Sequence, residues 1–334
     1  MKRILTGDRP TGKMHLGHFV GSLKNRVSLQ DEYETFIMVA DVQALTDNYN
    51  NPEKVRDNVL EVTMDNLAVG LDPKKVTFFI QSQIAEIAEL TVLFMNLVTM
   101  EKVMRNPTVK TEIAQKFKDG SVPFGFINYP VSQSADILFL RTHLVPAGED
   151  QRPMVELSRD IAEKFNATYK TDVFPLPDLK VGEFGRLVGT DGNAKMSKSL
   201  GNTIYLSDTP EEVEKKVMSM YTDPARIKAT DPGHVEGNPV FIYLDAFAPN
   251  DQRSTINDLQ TRYRGGQVGD IEVKKYLAKI LNAFLAPIRA RRAEYEQNPD
   301  LVREILRQGT EKTRREAVET MKLVRKAMKI DYFA

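Results

Sequence analysis

The sequence contains no cysteine and no tryptophan, and only four of its 334 residues are histidine. Without cysteine the chain can form no disulfide and no thiolate metal site, which is typical of a cytoplasmic protein. No run of about 20 apolar residues occurs, so we expect no membrane-spanning helix, and the first residues form no apolar signal segment. Basic and acidic residues number 46 each, so binding to a nucleic acid would depend on local basic patches and not on bulk charge.

A chain of 334 residues exceeds one ordinary hydrophobic core, so we expect two or more domains. Near its N-terminus a glycine-rich turn joins a predicted strand, Arg3–Thr6, to a predicted helix. Gly7–Lys13 match the P-loop pattern for phosphate binding, but Met14 stands where that pattern needs Ser or Thr for magnesium. A P-loop-type NTPase is therefore a remote alternative.

The turn continues into His15-Leu16-Gly17-His18, which places two histidines on one face of the predicted helix. Gly17 lets a nucleotide approach the backbone closely, and imidazole donors can stabilise phosphate oxygens as charge develops during nucleotidyl transfer. A capped helix with two surface histidines explains this motif equally well when it is taken alone.

Far downstream, Lys195–Ser199 spell K-M-S-K-S within a loop rich in Gly and Asn. A loop with several lysine and hydroxyl donors suits a leaving pyrophosphate, because its contacts can strengthen as the bond breaks. Such a loop alone is usually solvated surface. The order H-x-G-H followed by K-M-S-K-S seldom arises by accident, and it favours a phosphate-handling site.

Two more predicted strands end near Asp41 and Gln81 and alternate with a helix that Asn51 caps. This alternation predicts a doubly wound parallel sheet, whose ligand site lies beyond the carboxyl ends of the strands. Asp41, Gln43 and Gln81 fall at those ends, either as caps and loop hydrogen bonds or as site residues. From about Ala85 to Tyr169 the pattern is helical, and strand-like segments resume only at Val188 and Ile204.

Tyr129–Leu138 place an acid, Asp136, in apolar company, and Pro130 suits the first turn of a helix there. A carboxylate in such surroundings costs free energy unless it finds a donor. An indole N–H or a phenol O–H would serve, and a salt bridge to Arg141 is the alternative. Gly148–Gln151 begin another long helix; their acids are either ordinary first-turn residues or contacts for ribose hydroxyls and an ammonium group.

With these motifs the chain resembles the class I aminoacyl-tRNA synthetases, and among them the bacterial tryptophanyl-tRNA synthetases, over nearly its whole length. The resemblance implies activation of L-tryptophan by ATP and transfer to tRNA-Trp, in a cytoplasmic homodimer. Magnesium would arrive with ATP, and no tightly bound metal is expected. A tyrosyl-tRNA synthetase is the nearest alternative, but it usually offers its substrate phenol a tyrosine and an acid from different elements. A synthetase-like RNA-binding protein without catalysis is disfavoured by the intact K-M-S-K-S.

The resemblance implies catalytic roles for His15, His18, Lys195 and Lys198. It implies ATP contacts for Arg9, Pro10, Thr11, Gly17, His18, Gly148, Glu149, Asp150, Leu187, Lys195, Met196, Ser197, Lys198 and Ser199. It implies tryptophan contacts for Asp136, Gln151, Tyr129, Gln133, Val145 and Ala147. Two positions depart from the family: Arg9 stands where many relatives carry Gln and adds a charge beside the triphosphate, and Val42 replaces a common Gln.

The expected fold is an α/β, doubly wound parallel-sheet nucleotide-binding (Rossmann-like) fold, split by a helical insertion and followed by an all-helical C-terminal domain. By resemblance, residues 1–84 and 180–206 form the catalytic domain. Residues 85–179 form the insertion with the amino-acid pocket and dimer interface, and residues 207–334 form the anticodon-binding domain. From position 301 onwards nine basic residues outnumber five acids. A solvated helix face explains these charges by default, and an RNA footprint is the alternative.

Overall fold

The computed structural model describes residues 1–117, 120–182, 187–224, 226–228 and 230–333, and the chain divides into two compact units. Unit 1 comprises Met1–Gly12, Lys24–Gly182 and Tyr295–Ala334. Unit 2 comprises Lys13–Leu23 and Glu183–Glu294. Each unit is therefore assembled from segments that are distant in the sequence.

The strands of the described residues all belong to one sheet in unit 1. They are β1 (Arg3–Asp8), β2 (Glu34–Val39), β3 (Val76–Ile80), β4 (Leu144–Pro146) and β5 (Asp178–Lys180). Their order is β3-β2-β1-β4-β5, and every neighbouring pair is parallel. The chain moves from β1 towards β3 on one side and then returns to add β4 and β5 on the other. This reversal beside β1 is the switch point of a doubly wound sheet, so the predicted fold class is confirmed.

The helices account for most of the remaining described chain. In order they are α1 (Leu16–His18), α2 (Lys24–Leu29), α3 (Asp41–Leu45), α4 (Pro52–Ala68), α5 (Ala85–Met95), α6 (Met100–Arg105), α7 (Pro107–Lys116), α8 (Phe124–Leu138), α9 (Arg152–Tyr169), α10 (Pro210–Met218), α11 (Pro239–Phe247), α12 (Arg253–Arg264), α13 (Asp270–Gln297) and α14 (Pro299–Met328). A π-helical turn, Phe19–Leu23, follows α1. The predicted cap of α4 is present, since the Asn51 side chain accepts a hydrogen bond from the Lys54 backbone N–H.

Two predictions about the middle of the chain were wrong. The segment expected to be helical contains β4, and β5 follows it, whereas Val188 forms only an isolated bridge with Lys195. Ile204 lies outside the strands and accepts a hydrogen bond from the Leu16 backbone. Both missed strands are three residues long, too short to display a period of two.

Pro130 lies inside α8 and not in its first turn. The helix begins about two turns earlier than expected, after Pro123, and Phe126 in the added segment is buried. A proline inside a helix removes one backbone donor. The missing donor is the one that would serve the Phe126 carbonyl four residues earlier, and the helix nevertheless continues to Leu138.

The last helix packs on the sheet of unit 1. Val302 and Leu306 of α14 join a buried cluster with Phe78 of β3. At Gly309 the two backbones come so close that an added Cβ would lie 1.9 Å from the Phe78 carbonyl oxygen. The end of the predicted C-terminal domain therefore lies in unit 1, with the sheet. The division into three functional domains remains a prediction, because compactness alone does not assign function to a segment.

Many of the basic side chains of α14 are paired with acids. Arg307 bonds Glu304 at 2.6 Å on its own helix, and Arg325 Nε bonds Glu89 of α5 at 2.8 Å. Such pairing is what a solvated, partly packed helix face provides. An RNA footprint on this helix remains a prediction.

Candidate active site

The histidine turn and the K-M-S-K-S loop lie together in unit 2. The Gly17 backbone N–H points at the sulfur of Met196, 3.3 Å away, across 179 positions of sequence. His15 forms an antiparallel bridge with Tyr205, and the Leu16 N–H donates to the Ile204 carbonyl at 3.0 Å. The two predicted signatures therefore form one local structure, as their pairing in the sequence predicts.

Gly17 allows close packing in this turn. A Cβ added at Gly17 would lie 3.0 Å from ring atoms of His15, tighter than ordinary van der Waals contact. The ring centroids of His15 and His18 are 3.8 Å apart, and the His15 backbone N–H donates to His18 Nδ1 at 3.1 Å. The glycine thus allows the first imidazole to fold back over the start of α1.

His15 is held in its neutral form. Burial lowers the pKa of His15 to about 2, and the nearby charges of His18, Lys198 and Lys195 act in the same direction. His15 Nδ1 is buried and has no hydrogen-bond partner among the described residues. A neutral imidazole can donate one hydrogen bond and accept another, so we expect this ring to act by hydrogen bonding and not as a cation.

The K-M-S-K-S loop is anchored through its backbone. The Met196 N–H donates to the Leu187 carbonyl at 3.1 Å, and Asn202 Oδ1 accepts a hydrogen bond from the Ser197 N–H at 2.8 Å. Met196 itself is only 2% exposed. A short 3₁₀ turn, Lys198–Leu200, closes the loop. The side chain of Ser199 lies outside the described part of the structure.

In unit 1, Asp136 is buried on α8 and bonded by two glutamine amides. Gln81 Nε2 donates to Asp136 Oδ1 at 2.7 Å, and Gln43 Nε2 donates to Asp136 Oδ2 at 3.2 Å. Both glutamines follow strand ends, as the sequence indicated, so the sheet edge supplies the donors that this acid needs. Among the described residues the alternative salt bridge to Arg141 is not formed, because the partners of the Asp136 carboxylate are the two glutamine amides.

Burial raises the pKa of Asp136 to about 7. The amides of Gln81 and Gln43 oppose this shift, because hydrogen bonds to a carboxylate favour its charged form, while the charge of Asp41 adds to it. A buried carboxyl with a pKa near neutrality is typical of functional sites. As a carboxylate it is a strong acceptor for a ligand N–H.

Tyr129, on the same helix, faces a group of charges that sequence reasoning did not find. Its hydroxyl donates to Glu112 Oε2 at 2.9 Å, and burial raises its pKa above the usual range. Lys116 of α7 bonds Asp47 at 2.8 Å, and Arg9 pairs with the same Asp47 carboxylate. Arg9 and Lys116 thus converge on one acid.

The remaining predicted tryptophan contacts also lie in unit 1. Gln133 Nε2 donates to Gln151 Oε1 at 3.0 Å. Val145 packs with Ile137 and Val155 in a small buried cluster, against which Ala147 rests. The structure therefore gathers the predicted set into the region of α8, β4 and the start of α9. Sequence reasoning noted Gln43 and Gln81 at strand ends but did not include them among the site residues.

The residues predicted to contact ATP are divided between the units. Unit 1 contains Arg9, a buried Pro10, Thr11 and Gly148–Asp150, and unit 2 contains the rest. The Thr11 N–H donates to the Arg9 carbonyl at 2.8 Å, which tightens the turn after β1. Glu149 is paired with Arg152 at 2.8 Å, and the Asp150 carbonyl accepts from the Thr108 hydroxyl at 3.3 Å. The ATP contacts themselves remain predictions.

A cavity of about 580 Å³ opens at the carboxyl ends of β2 and β3. Asp41, Arg56 and Ser82 are among the residues that line it, and none of the predicted tryptophan contacts does. Across the described ranges no cluster of three His, Cys, Asp or Glu side chains could hold a metal ion. In the same ranges no helix is both long and apolar enough to cross a bilayer.

Comparison with known families identifies the class. The family model described as class I tRNA synthetases (W and Y) matches residues 1–286. Together with the doubly wound sheet and the paired signatures in unit 2, this match means that the chain belongs to the class I aminoacyl-tRNA synthetases.

Individual relatives narrow the assignment within the class. The tryptophan–tRNA ligase of Streptococcus mutans is 55% identical to this chain over 335 residues, covering 99% of the chain and 98% of the relative. That of Clostridium longisporum is 54% identical, with 99% and 97% covered. A crystal structure of tryptophanyl-tRNA synthetase from Campylobacter jejuni, complexed with ADP and tryptophan, is 33% identical with a TM-score of 0.84 and covers 98% of this chain and 99% of its own.

Proposed function

We infer that this chain is a tryptophan–tRNA ligase. It activates L-tryptophan with ATP, forming tryptophanyl-adenylate and pyrophosphate, and then transfers the tryptophanyl group to tRNA-Trp. The contact between the Gly17 backbone and Met196 carries the inference, because it unites the histidine turn and the lysine-rich loop in one structure. The two relatives above, both named tryptophan–tRNA ligases, support tryptophan as the amino acid.

The first step needs positioning and charge stabilisation and no protein nucleophile. The tryptophan carboxylate attacks the α-phosphate in line, and the bond to the pyrophosphate breaks. We propose that Lys195 and Lys198 stabilise the charge that develops on the departing pyrophosphate. His15 and His18 donate hydrogen bonds to phosphate and ribose. Magnesium arrives with ATP, held mostly by phosphate oxygens and water.

Asp136 receives the indole N–H of the substrate in this proposal. Phenylalanine offers no donor and would leave the buried carboxylate without a ligand partner, which a polar site penalises strongly. Gln133, Gln151 and Tyr129 then face the ammonium and carboxylate groups, and Val145 and Ala147 face the indole ring. In the second step a hydroxyl of the terminal adenosine of tRNA attacks the adenylate carbonyl and releases AMP.

We further propose that the working protein is a cytoplasmic homodimer with a Rossmann-like catalytic domain. The insertion would contain the amino-acid pocket and the dimer face, and the C-terminal helices would read the anticodon. No editing domain is needed, because no natural amino acid is a near isostere of tryptophan.

ATP–pyrophosphate exchange, measured with each of the standard amino acids in turn, tests the activity directly. We expect exchange with tryptophan alone. Exchange supported by tyrosine would transfer the assignment to a tyrosyl-tRNA synthetase. Exchange with no amino acid, while ATP is still hydrolysed, would instead favour an NTPase.

A further inference from the structure

The two glutamines that bond Asp136 form an oriented pair. The Gln43 backbone N–H donates to Gln81 Oε1 at 3.0 Å. Because that bond engages the amide oxygen of Gln81, its NH₂ group must face the other way, towards Asp136. Gln43 Nε2 in turn lies 3.1 Å from the Ser132 hydroxyl and 3.2 Å from Asp136. The flip of the Gln81 amide is thus fixed by a partner other than the acid. The flip of Gln43 is fixed by the acid itself, since a serine hydroxyl can donate or accept whereas a carboxylate only accepts.

The pair is also cut off from solvent. Asp136 is 1% exposed, Gln81 2% and Gln43 8%. Oriented amide donors in a dry site favour the charged form of a carboxylate, whereas burial alone would protonate it. An ionised carboxylate has about four lone-pair positions, and the amides occupy two of them. The remaining positions have no side-chain donor among the described residues.

We propose that Gln43 and Gln81 are positioning residues that keep Asp136 ionised and aimed at the indole N–H, and that they thereby set the preference for tryptophan over phenylalanine. This inference rests on the proposed function. Neither glutamine needs to touch the substrate for the effect, because each acts through the state of the carboxylate.

Burial and a neighbouring charge both disfavour the ionised form of Asp136, and the glutamine amides act against them. Asp41, after β2, disfavours ionisation, as burial does, and together they bring the pKa of Asp136 to about 7. The other titratable side chain of α8 is Tyr129, whose hydroxyl donates a hydrogen bond to Glu112 of α7. Removing an amide donor would raise the pKa of Asp136 further and leave more of it protonated at neutral pH.

Because the chain has no tryptophan of its own, the fluorescence of added L-tryptophan reports its binding to the intact protein. The test measures the Kd for L-tryptophan from pH 5.5 to 9 in wild type, Gln81→Met and Gln43→Met. Methionine preserves length and removes the amide. Gln83→Met, a neighbouring exposed position, is the matched control.

In wild type we expect binding to weaken as pH falls through about 7, where Asp136 takes up its proton. In Gln81→Met and Gln43→Met we expect Kd at pH 7 to rise about 10- to 100-fold. The midpoint of the pH dependence should move to higher pH, so that the loss shrinks at pH 9. In both variants the KM for ATP in pyrophosphate exchange should stay within about twofold of wild type. The Kd of Gln83→Met for L-tryptophan should also stay within about twofold of wild type.

Gln81→Glu is a second variant in case methionine prevents folding. It keeps the acceptor for the Gln43 N–H but replaces the amide donor with a group that competes for the proton, and it should move the midpoint furthest. A weakening by the same factor at every pH, or an unchanged Kd, would overturn the inference while the proposed function stands. Wild-type protein that binds no tryptophan at all would overturn both.

Discussion

Asp136 and His15 are buried titratable side chains on different units, and burial shifts their pKa values in opposite directions. The folded state holds a proton on Asp136 that the unfolded chain has already released between about pH 4 and 7. Between about pH 2 and 6.5, His15 is unprotonated in the folded state and protonated in the unfolded chain. By linkage, the contribution of Asp136 makes the free energy of unfolding fall as pH rises. The contribution of His15 makes it rise as pH rises. In the overlap the two slopes oppose each other.

Replacing Asp136 with asparagine isolates the contribution of this carboxyl to the pH dependence of stability. The new amide keeps an oxygen for Gln81 and carries no charge, so the Asp136→Asn variant should gain stability relative to wild type as pH rises from 4.5 to 7. The gain should be about 1.4 kcal/mol per pH unit at most. Thermal melts across this range measure it, with the exposed Asp57→Asn as control. A constant offset between variant and wild type would contradict the raised pKa.

His15 should remain neutral throughout the physiological range. Its imidazole NMR signals, assigned by comparison with a His15→Gln variant, should not move between pH 5 and 8, because the pKa lies near 2. The pH–rate profile of pyrophosphate exchange should accordingly contain no ionisation from this group. A signal with a midpoint near 6.5 would mean that the ring is solvated and charged in solution.

Lys198 is proposed to act when pyrophosphate departs and not when tryptophan binds. Lys198→Ala should therefore lower the rate of exchange by about 10²–10³-fold, the usual loss for one electrostatic donor at a reacting centre. The Kd for tryptophan, read by fluorescence, should change little. Lys275→Ala, an exposed lysine of α13, is the control. Equal loss of exchange and tryptophan binding would point to a structural role.

At the scale of elements, α14 depends on a glycine. Gly309→Ala would drive a methyl group to 1.9 Å from the Phe78 carbonyl oxygen. Helix propensity favours Ala by about 1 kcal/mol, but overpacking of this kind usually costs about 1–3 kcal/mol or more, so we expect net destabilisation. Gly125→Ala, at a position of α8 with nothing within 4 Å, should be neutral or stabilising. Chemical denaturation of both variants decides between these outcomes.

How much of these elements the sequence predicts depends on their length and chemistry. β2 and β3 were visible because most of their five or six residues are apolar, and β1 because Ile4 and Leu5 directly precede a glycine-rich turn. β4 and β5 were not visible in the sequence, because a strand of three residues is too short to show an alternation of apolar and polar positions. The pairing of α14 with β3 was missed as well: nothing in a basic amphipathic helix tells which apolar face it will meet. Gly309 was the available signal, since a helix-interior glycine often marks a close approach.

The candidate site was predictable where chemistry is concentrated in few residues. The histidine turn and the lysine-rich loop stand out as motifs, and Asp136 stands out as an acid among apolar neighbours. Gln43 and Gln81 carry no such contrast, because an amide after a strand usually serves a loop. Their role follows only from geometry, as does the meeting of Arg9 and Lys116 at Asp47.

At the scale of the whole molecule, tryptophan should stabilise the fold. A ligand present at 100 times its Kd adds about 2.7 kcal/mol to the free energy of unfolding. Tm should rise by several degrees with L-tryptophan and not with L-phenylalanine at the same concentration. All the proposed tryptophan contacts lie in unit 1, so separate melting of the units should confine the shift to the transition of that unit. An equal shift with phenylalanine would argue against indole recognition.

The interleaved course of the chain has a consequence for synthesis. The histidine segment of unit 2 emerges from the ribosome long before Met196, which lies 179 positions beyond Gly17. At about 5–20 residues per second, that delay is roughly 10–40 seconds. During it, the ring of Phe19 lacks the packing that Phe247 and Phe284 later provide. The nascent polypeptide thus carries the histidine turn without the loop that later packs against it, and with an uncovered aromatic side chain that a chaperone could shield until translation nears its end.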